Sequence, residues 1–286
     1  MSIHLFRLGL IVTYRCNAEC RHCFFRSGPG RDETMSLSLG LRAIDEAADL
    51  GAEWVSITGG EPFFERELLE EYVEYANGKG LKAEVVSNGY WAETAEVAYK
   101  VLKPLRELGL DVLNLSIDDF HQEYIPIANP RNAYQAALDL GLKVVIMTTT
   151  AKNSEITAET LPGLMQDDKI QILGAPRIRE PNALLIETPI TPVGRAESIA
   201  EHEYTLITSV KCGEVSRDIG VGPDGDVYPC YGPLASKMVL GNIKESSLRM
   251  ILEEAWNDPV LSSIHEGVQV SGAYTSKCHA CLSLIG

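Results

Sequence analysis

Short apolar runs and amphipathic stretches alternate along the first two thirds of the chain. The runs at residues 5–12, 54–58, 83–87, 112–117, 144–148 and 183–187 have strand length, and most are rich in β-branched or aromatic types. Between them, apolar positions recur at helical spacing over roughly residues 36–50, 66–78, 95–108, 131–140 and 158–165, with Ser36 and Gly51 placed as start and stop signals. Regular strand–helix alternation predicts parallel strands joined by right-handed crossovers. A closed barrel of this kind takes eight units and only about six are present. The expectation is an α/β fold, a partial (β/α)6 TIM-like barrel over residues 1–200.

After residue 200 the rhythm changes. Residues 218–221 and 227–228 flank the turn Pro223-Asp224-Gly225-Asp226, which predicts a hairpin, and a helical segment follows near residues 247–256. Residues 201–286 are expected to form a small cysteine-rich α+β domain. Gly220-Val221-Gly222-Pro223-Asp224-Gly225 matches G-x-G-x-x-G, but a dinucleotide site needs that pattern to open a helix inside a βαβ unit, whereas Pro-Asp-Gly makes a turn.

At 45 % hydrophobic and 23 % charged residues, the chain has apolar material enough for a core without metal, so any metal would serve function. The formal charge of −15 argues against general affinity for DNA or RNA, which rests on neutralising phosphates. A basic or neutral partner fits better, although acidity by itself also keeps a protein soluble. No run approaches the ~20 apolar residues of a membrane span, and the first ten residues lack signal-peptide organisation. A cytoplasmic protein without a membrane partner is expected. Its seven cysteines are then no disulfide framework.

Their grouping is three plus four. Cys16, Cys20 and Cys23 follow the first strand in Cys16-Asn17-Ala18-Glu19-Cys20-Arg21-His22-Cys23. Three thiolates at this spacing can hold three corners of an iron–sulfur cube and leave one iron open. Chance crowding of reactive thiols and structural zinc are the alternatives, with His22 as a nominal fourth ligand that would have to fold back onto the same metal. Polar groups gather at the strand ends. Gly59-Gly60-Glu61-Pro62 offers close backbone approach and a carboxylate, Ser87-Asn88-Gly89 reads equally as a turn, and Ser116 and Asp118 share a face. Thr148, Thr149 and Thr150 end the fifth strand; His121, Glu123 and Tyr124 follow the fourth, as substrate contacts or as surface loop. Cys212, Cys230, Cys278 and Cys281 supply four thiolates, enough to close a second cluster or a zinc site.

C-x3-C-x2-C after strand one, followed by Gly-Gly-Glu-Pro after strand two, resembles the radical S-adenosylmethionine (SAM) superfamily. The resemblance implies that the open iron on Cys16/Cys20/Cys23 chelates the amino and carboxylate groups of SAM. An electron from the reduced cluster then yields methionine and a 5′-deoxyadenosyl radical, which abstracts a substrate hydrogen. It further implies that Gly59, Gly60, Glu61 and Pro62 lie at the methionine amino group, and that Ser87, Asn88, Ser116 and Asp118 serve the methionine and ribose. Pro192-Val193-Gly194-Arg195-Ala196 is similar to a segment that often precedes the accessory domain, which places Arg195 in the pocket. Cys212-x12-Gly225-x4-Cys230 and Gly241-Asn242-Ile243 resemble the opening of SPASM and Twitch domains. The chain closes at Gly286, soon after Cys281, and so resembles the shorter Twitch form. The implied cofactors are two [4Fe–4S] clusters and SAM, and the implied reductant is flavodoxin or ferredoxin. If all four late cysteines ligate, no spare thiol remains; otherwise one of them is free to donate hydrogen.

Enzymes of this architecture modify ribosomally made peptides by epimerisation, crosslinking or oxidation, or they dehydrogenate small molecules such as an aminocyclitol alcohol. A strand beginning near Leu5 leaves no room before it for a leader-binding module, which weighs against a peptide; the acidic surface suits a basic one. Peptide modification is the expectation, with small-molecule dehydrogenation as the alternative. A non-catalytic iron–sulfur or zinc module would need neither Gly-Gly-Glu-Pro nor the polar strand ends.

Overall fold

In the computed structural model, which describes residues 4–199 and 204–285, the alternation becomes one ten-stranded sheet. β1 (Arg7–Ile11), β2 (Trp54–Thr58), β3 (Lys82–Ser87), β4 (Leu110–Ser116) and β5 (Lys143–Thr150) lie side by side in parallel. Beyond β5 the order inverts: β6 (Ile170–Ile172) takes the edge, and β7 (Ala183–Pro189) sits between it and β5. The helices α1 (Leu37–Asp49), α2 (Arg66–Gly78), α3 (Ala95–Leu108), α4 (Asp119–Gln122), α5 (Ala128–Asp139) and α6 (Leu161–Met165) are the crossovers. Alternation sorts each strand into two faces. Leu8, Leu10, Val55, Ile57, Val85, Leu113, Leu115 and Ile146 enter the core shared with the helices. Ser56, Asn114, Ser116, Val145, Met147 and Ile186 lie on the opposite, concave face, where Met147 is 41 % exposed.

Local chemistry sets the helix bounds. The Ser36 and Thr94 side chains cap α1 and α3 by accepting from Leu39 N and Val97 N, and Gly51 follows α1 at φ +85°. α5 begins earlier than the sequence predicts, because Pro130 falls in its first turn, where a missing N–H costs nothing. α6 is shorter than predicted. Thr157 and Thr160 bond the backbone on either side of themselves and compete with a helix there.

The later segment comprises β8 (Thr205–Val210), β9 (Asp218–Val221), β10 (Asp226–Tyr228), β11 (Gly241–Asn242), α7 (Leu248–Trp256), α8 (Pro259–Glu266), β12 (Val268–Tyr274) and α9 (Lys277–Leu282). β8 and β12 pair as a separate ribbon. The β9–β10 hairpin forms around Gly225 at φ +93°, so the G-x-G-x-x-G match is a turn. β9 also pairs in parallel with β1, Arg7 facing Asp218, and so extends the barrel sheet. The domain boundary expected near residue 200 falls on residues 200–203, which lie outside the described residues. Among the described residues no helix is long and apolar enough to cross a membrane.

Arg7 closes the floor of the concave face. It donates to Glu84 (3.0 Å) and the Tyr231 hydroxyl (2.7 Å) and lies 3.7 Å from Asp218, which burial pushes up to about 6. Tyr231 packs directly on Gly9, where a Cβ would stand 2.6 Å from the tyrosine Cβ. A Gly9→Ala variant is therefore expected to lose about 1–3 kcal/mol through overpacking, to be read from the denaturant midpoint against wild type.

Candidate active site

The loop between β1 and α1 carries the first three cysteines, and main-chain bonds give it its shape. Met35 N donates to the Val12 carbonyl (2.8 Å), Gly28 N to Tyr14 (3.2 Å) and Cys16 N to Gly28 (3.2 Å), tying the two limbs. Near the tip, Cys23 N donates to the Cys20 carbonyl (3.1 Å). Cys16 and Cys20 are buried and Cys23 half-buried, within a small apolar cluster that includes Ala18, Phe120, Ile190 and Ala196. Burial drives the Cys16 thiol up to about 12; the Ala18 amide opposes this, while Glu61, Cys20 and Cys23 add to it. Three mutually close, water-shielded thiols are costly as bare thiolates and suit a cationic iron–sulfur cluster.

The end of β2 docks on this loop backbone to backbone. Gly60 N donates to the Thr13 carbonyl (2.6 Å) and Glu61 N to that of Arg15 (2.9 Å). A Cβ on Gly60 would collide with the Arg15 carbonyl, and Gly59, at φ +149°, has the same relation to Thr13. Glu61 is fully buried. It accepts from the Ser87 hydroxyl (2.9 Å), Asn88 N (2.9 Å) and Phe63 N (3.2 Å), capping the 3-10 turn Pro62–Glu65. Burial raises its carboxyl to about 7, against the pull of those three donors. Asn88 then carries the chain of contacts to the cysteines: its amide donates to the Asn17 side chain (2.9 Å) and to the Cys16 sulfur (3.8 Å). Glu61, Ser87, Asn88 and Cys16 thus form one network across three strand ends.

At the end of β4, Ser116 is half-buried and Asp118 buried. Asp118 accepts from His121 N and binds its Nδ1, both at 2.9 Å, takes a long bond from Thr149 N (3.4 Å), and lies 3.9 Å from His22 Nε2. Burial would raise the Asp118 carboxyl, but His121 and His22 outweigh it and hold it at about 2. Burial lowers His22 to about 4, and its Nδ1 is a buried polar atom with no protein partner. Donor atoms of Cys20, His22 and His121 lie within 4.8 Å of one another, though His121 Nδ1 is already engaged by Asp118. His121 joins the site through its spacing from Asp118: aspartate caps a short helix and the residue three positions on faces it. Arg195 lies on the cysteine loop, its guanidinium donating to the carbonyls of Cys20 (2.9 Å) and Ser27 (2.6 Å). Thr148 is buried and bonds outward to the Ile156 carbonyl, while Thr149 and Thr150 are half-buried. Glu123 pairs with Arg21, and the Tyr124 hydroxyl donates to the Glu19 carbonyl, so both brace the loop.

The four late cysteines also meet. Cys278 and Cys281 stand one turn apart on α9, which Ser276 caps. Burial raises Cys230, to about 12, with the Gly232 and Leu234 amides donating to its sulfur and both Cys278 and Cys281 adding to the rise. Burial likewise raises Cys281 to about 12, with Cys278 and Cys212 adding to it, and Cys278 feels Cys212 in turn. They sit beside an apolar core of their own, around Val210, Leu234, Leu261, Ile264 and Ala280. Four such thiols can ligate every corner of a cluster or a single zinc ion.

Residues 10–172 match the model of the Radical SAM superfamily, and residues 212–282 that of the SPASM iron–sulfur cluster-binding domain. The chain belongs to the radical SAM superfamily and carries a SPASM iron–sulfur domain; its cofactors are SAM and [4Fe–4S] clusters, an auxiliary cluster among them. It is 25 % identical over 228 residues to the putative peptide biosynthesis protein YydG of Bacillus subtilis, covering 77 % of this chain and 67 % of that one. To a GTP 3′,8-cyclase of Lactiplantibacillus plantarum it is 27 % identical over 236 residues, covering 81 % and 68 %. The crystal structure of Streptococcus suis SuiB bound to precursor peptide SuiA shares the fold, with a TM-score of 0.64 at 15 % identity over 92 % of this chain and 67 % of that one.

Anaerobic reconstitution of wild type should give about eight irons per chain, and a Cys16/Cys20/Cys23→Ala variant about four, as two cubane clusters require. Iron and sulfide assays check this; about four irons with bound zinc in wild type, and none in the variant, would make the late cysteines a zinc site.

Proposed function

We propose that the chain modifies a ribosomally made peptide by hydrogen-atom abstraction. The similarity to YydG supports this reading over 77 % of the chain; the likeness to the GTP 3′,8-cyclase is of equal extent, so the chemistry of the concave face is what separates the two. That face supports the peptide reading. Ser116 offers a neutral polar group at the end of β4, and Val145, Met147 and Ile186 offer aliphatic ones on β5 and β7. The strand ends themselves carry Thr58, Ser87, Ser116, Asp118 and Thr149, which are neutral or acidic. Such a surface suits an uncharged or basic peptide side chain better than the triphosphate of GTP.

When bound, the cluster and SAM supply abstraction of a hydrogen atom from an unactivated carbon. Cys16, Cys20 and Cys23 would hold that cluster, with Asn88 and the Ala18 amide stabilising the Cys16 sulfur. Gly59 and Gly60 keep β2 against the loop, and Glu61 fixes Ser87 and Asn88. Asp118, buried and bonded to His121, would accept from ribose hydroxyls. Phe120, Ile190 and Ile199 exclude water from the cysteine loop. Cys212, Cys230, Cys278 and Cys281 would hold the auxiliary cluster, and a flavodoxin- or ferredoxin-like donor would supply electrons. Seven thiols free of disulfides fit a reducing, cytoplasmic compartment.

The reconstituted enzyme, given SAM and dithionite in heavy water, is expected to form 5′-deoxyadenosine faster with a basic precursor-peptide library than with GTP or aminocyclitols. Mass spectrometry of the peptides then reads a gain of deuterium for epimerisation or a loss of two hydrogens for crosslinking or oxidation. Stimulation by GTP or by a cyclitol alone would move the protein to small-molecule chemistry.

A further inference from the structure

The stretch between β7 and β8 grips the cysteine loop through one dipeptide. Arg195 donates through Nε to the Cys20 carbonyl (2.9 Å) and through Nη2 to the Ser27 carbonyl (2.6 Å). Its main-chain N–H donates to the Cys23 carbonyl (3.1 Å). Gly194 stands at φ +63°, where a Cβ would lie 2.5 Å from Phe24 Cα and 2.7 Å from the Cys23 carbonyl oxygen. Its own carbonyl accepts from Arg26 (2.8 Å). Three loop carbonyls, those of Cys20, Cys23 and Ser27, therefore converge on Gly194-Arg195.

The same stretch reaches the auxiliary domain. Glu197 pairs with Arg26 (3.2 Å) and with Lys237 (3.0 Å). These pairs are exposed and contribute little stability by themselves. The Thr191 hydroxyl lies 3.1 Å from that of Ser276, the cap of the helix bearing Cys278 and Cys281.

A guanidinium is a rigid, permanently charged fork, and two carbonyls bonded to it are fixed relative to each other. The carbonyls it fixes lie on both sides of Cys23. The Cys20 carbonyl belongs to the peptide plane next to the Cys20 side chain, and the Arg195 main-chain N–H holds the corresponding plane at Cys23. Hydrogen bonding and charge around a cluster also set its reduction potential. We propose that the Arg195 side chain is a positioning group for the SAM-binding cluster, holding Cys20 in ligating geometry and the Cys20–Ser27 turn closed through the two carbonyls it bonds rather than through contact with SAM. This rests on the assignment of Cys16, Cys20 and Cys23 to that cluster.

The test uses the full chain, reconstituted anaerobically, as wild type, Arg195→Lys and Arg195→Ala. Iron is counted, and EPR spectra of the dithionite-reduced protein are recorded with and without SAM. Arg195→Ala is expected to fall from about eight irons towards about four and to lose the SAM-induced spectral change. Its SAM-insensitive auxiliary signal should persist, which reports that the protein has folded. Lysine keeps the charge but offers one ammonium to two divergent carbonyls. Arg195→Lys should therefore assemble the first cluster with altered g values in the presence of SAM. Wild-type iron and wild-type spectra in Arg195→Ala overturn the proposal. Should the alanine protein fail to fold, a lysine variant indistinguishable from wild type overturns it instead. A wild type that does not respond to SAM sinks the functional reading separately, and iron retention in Arg195→Ala then decides the loop-positioning role by itself.

Discussion

The main-chain contact between the end of β2 and the cysteine loop is the constraint on which the site depends. The loop's own main-chain bonds tie its two limbs together, but its position over the sheet still has to be fixed against the chain's freedom. Two hydrogen bonds from Gly60 and Glu61 dock it on the end of β2, and they form only because neither Gly59 nor Gly60 carries a Cβ. Once the backbones meet, the Glu61 carboxylate is carried into the interior, where Ser87, Asn88 and Phe63 must satisfy it. Asn88 is thereby turned toward the Cys16 sulfur. The ends of β1, β2 and β3 and the geometry at the first cysteine are thereby linked through the same few atoms.

The barrel separates two jobs by face. Its outer face is sealed by helices and bears the stability of the fold, with residues such as Leu8, Ile57, Leu113 and Ile146 fully buried. The concave face is free to vary in polarity because it contributes less to that core. An ionic cluster built on Arg7 closes its floor. Such a cluster is expensive to desolvate and adds less to stability than an apolar plug of similar volume. Its effect is to fix the start of β1 against β3 and β9 and to bring Tyr231 into the one space that Gly9 leaves open.

Much of this was legible in the sequence. Five-residue β2 and the bounds of α2 and α3 follow from periodicity and capping, since a strong local pattern agrees there with the tertiary fold. The three-residue β6, the ribbon of β8 with β12, and α8 were not legible. They are short or rich in polar residues, and β8 and β12 pair across a long stretch of sequence. The cysteine groups, Gly59-Gly60-Glu61 and Asp118 stood out because their chemistry is unusual for a strand end. The work of the two glycines was only half visible: close approach was evident, but the approaching group is the Thr13–Arg15 backbone. His121 was in view as a residue following β4, and its bond to Asp118 is local, whereas the Arg195 fork depends on side chain and loop meeting across the fold, which no local pattern encodes.

The parallel pairing of β1 with β9 bears on how the chain is made. Arg7 leaves the ribosome well before its partner Asp218, more than two hundred residues later in the sequence. At about 5–20 residues per second, that interval is roughly ten to forty seconds. During it, one edge of β1 and the loop bearing Cys16, Cys20 and Cys23 lack their final neighbour on that side. An open, apolar strand edge is the surface that chaperones hold and that aggregation exploits. The first cysteine loop gains its last neighbour on that side only when β9 arrives and closes the sheet beside it.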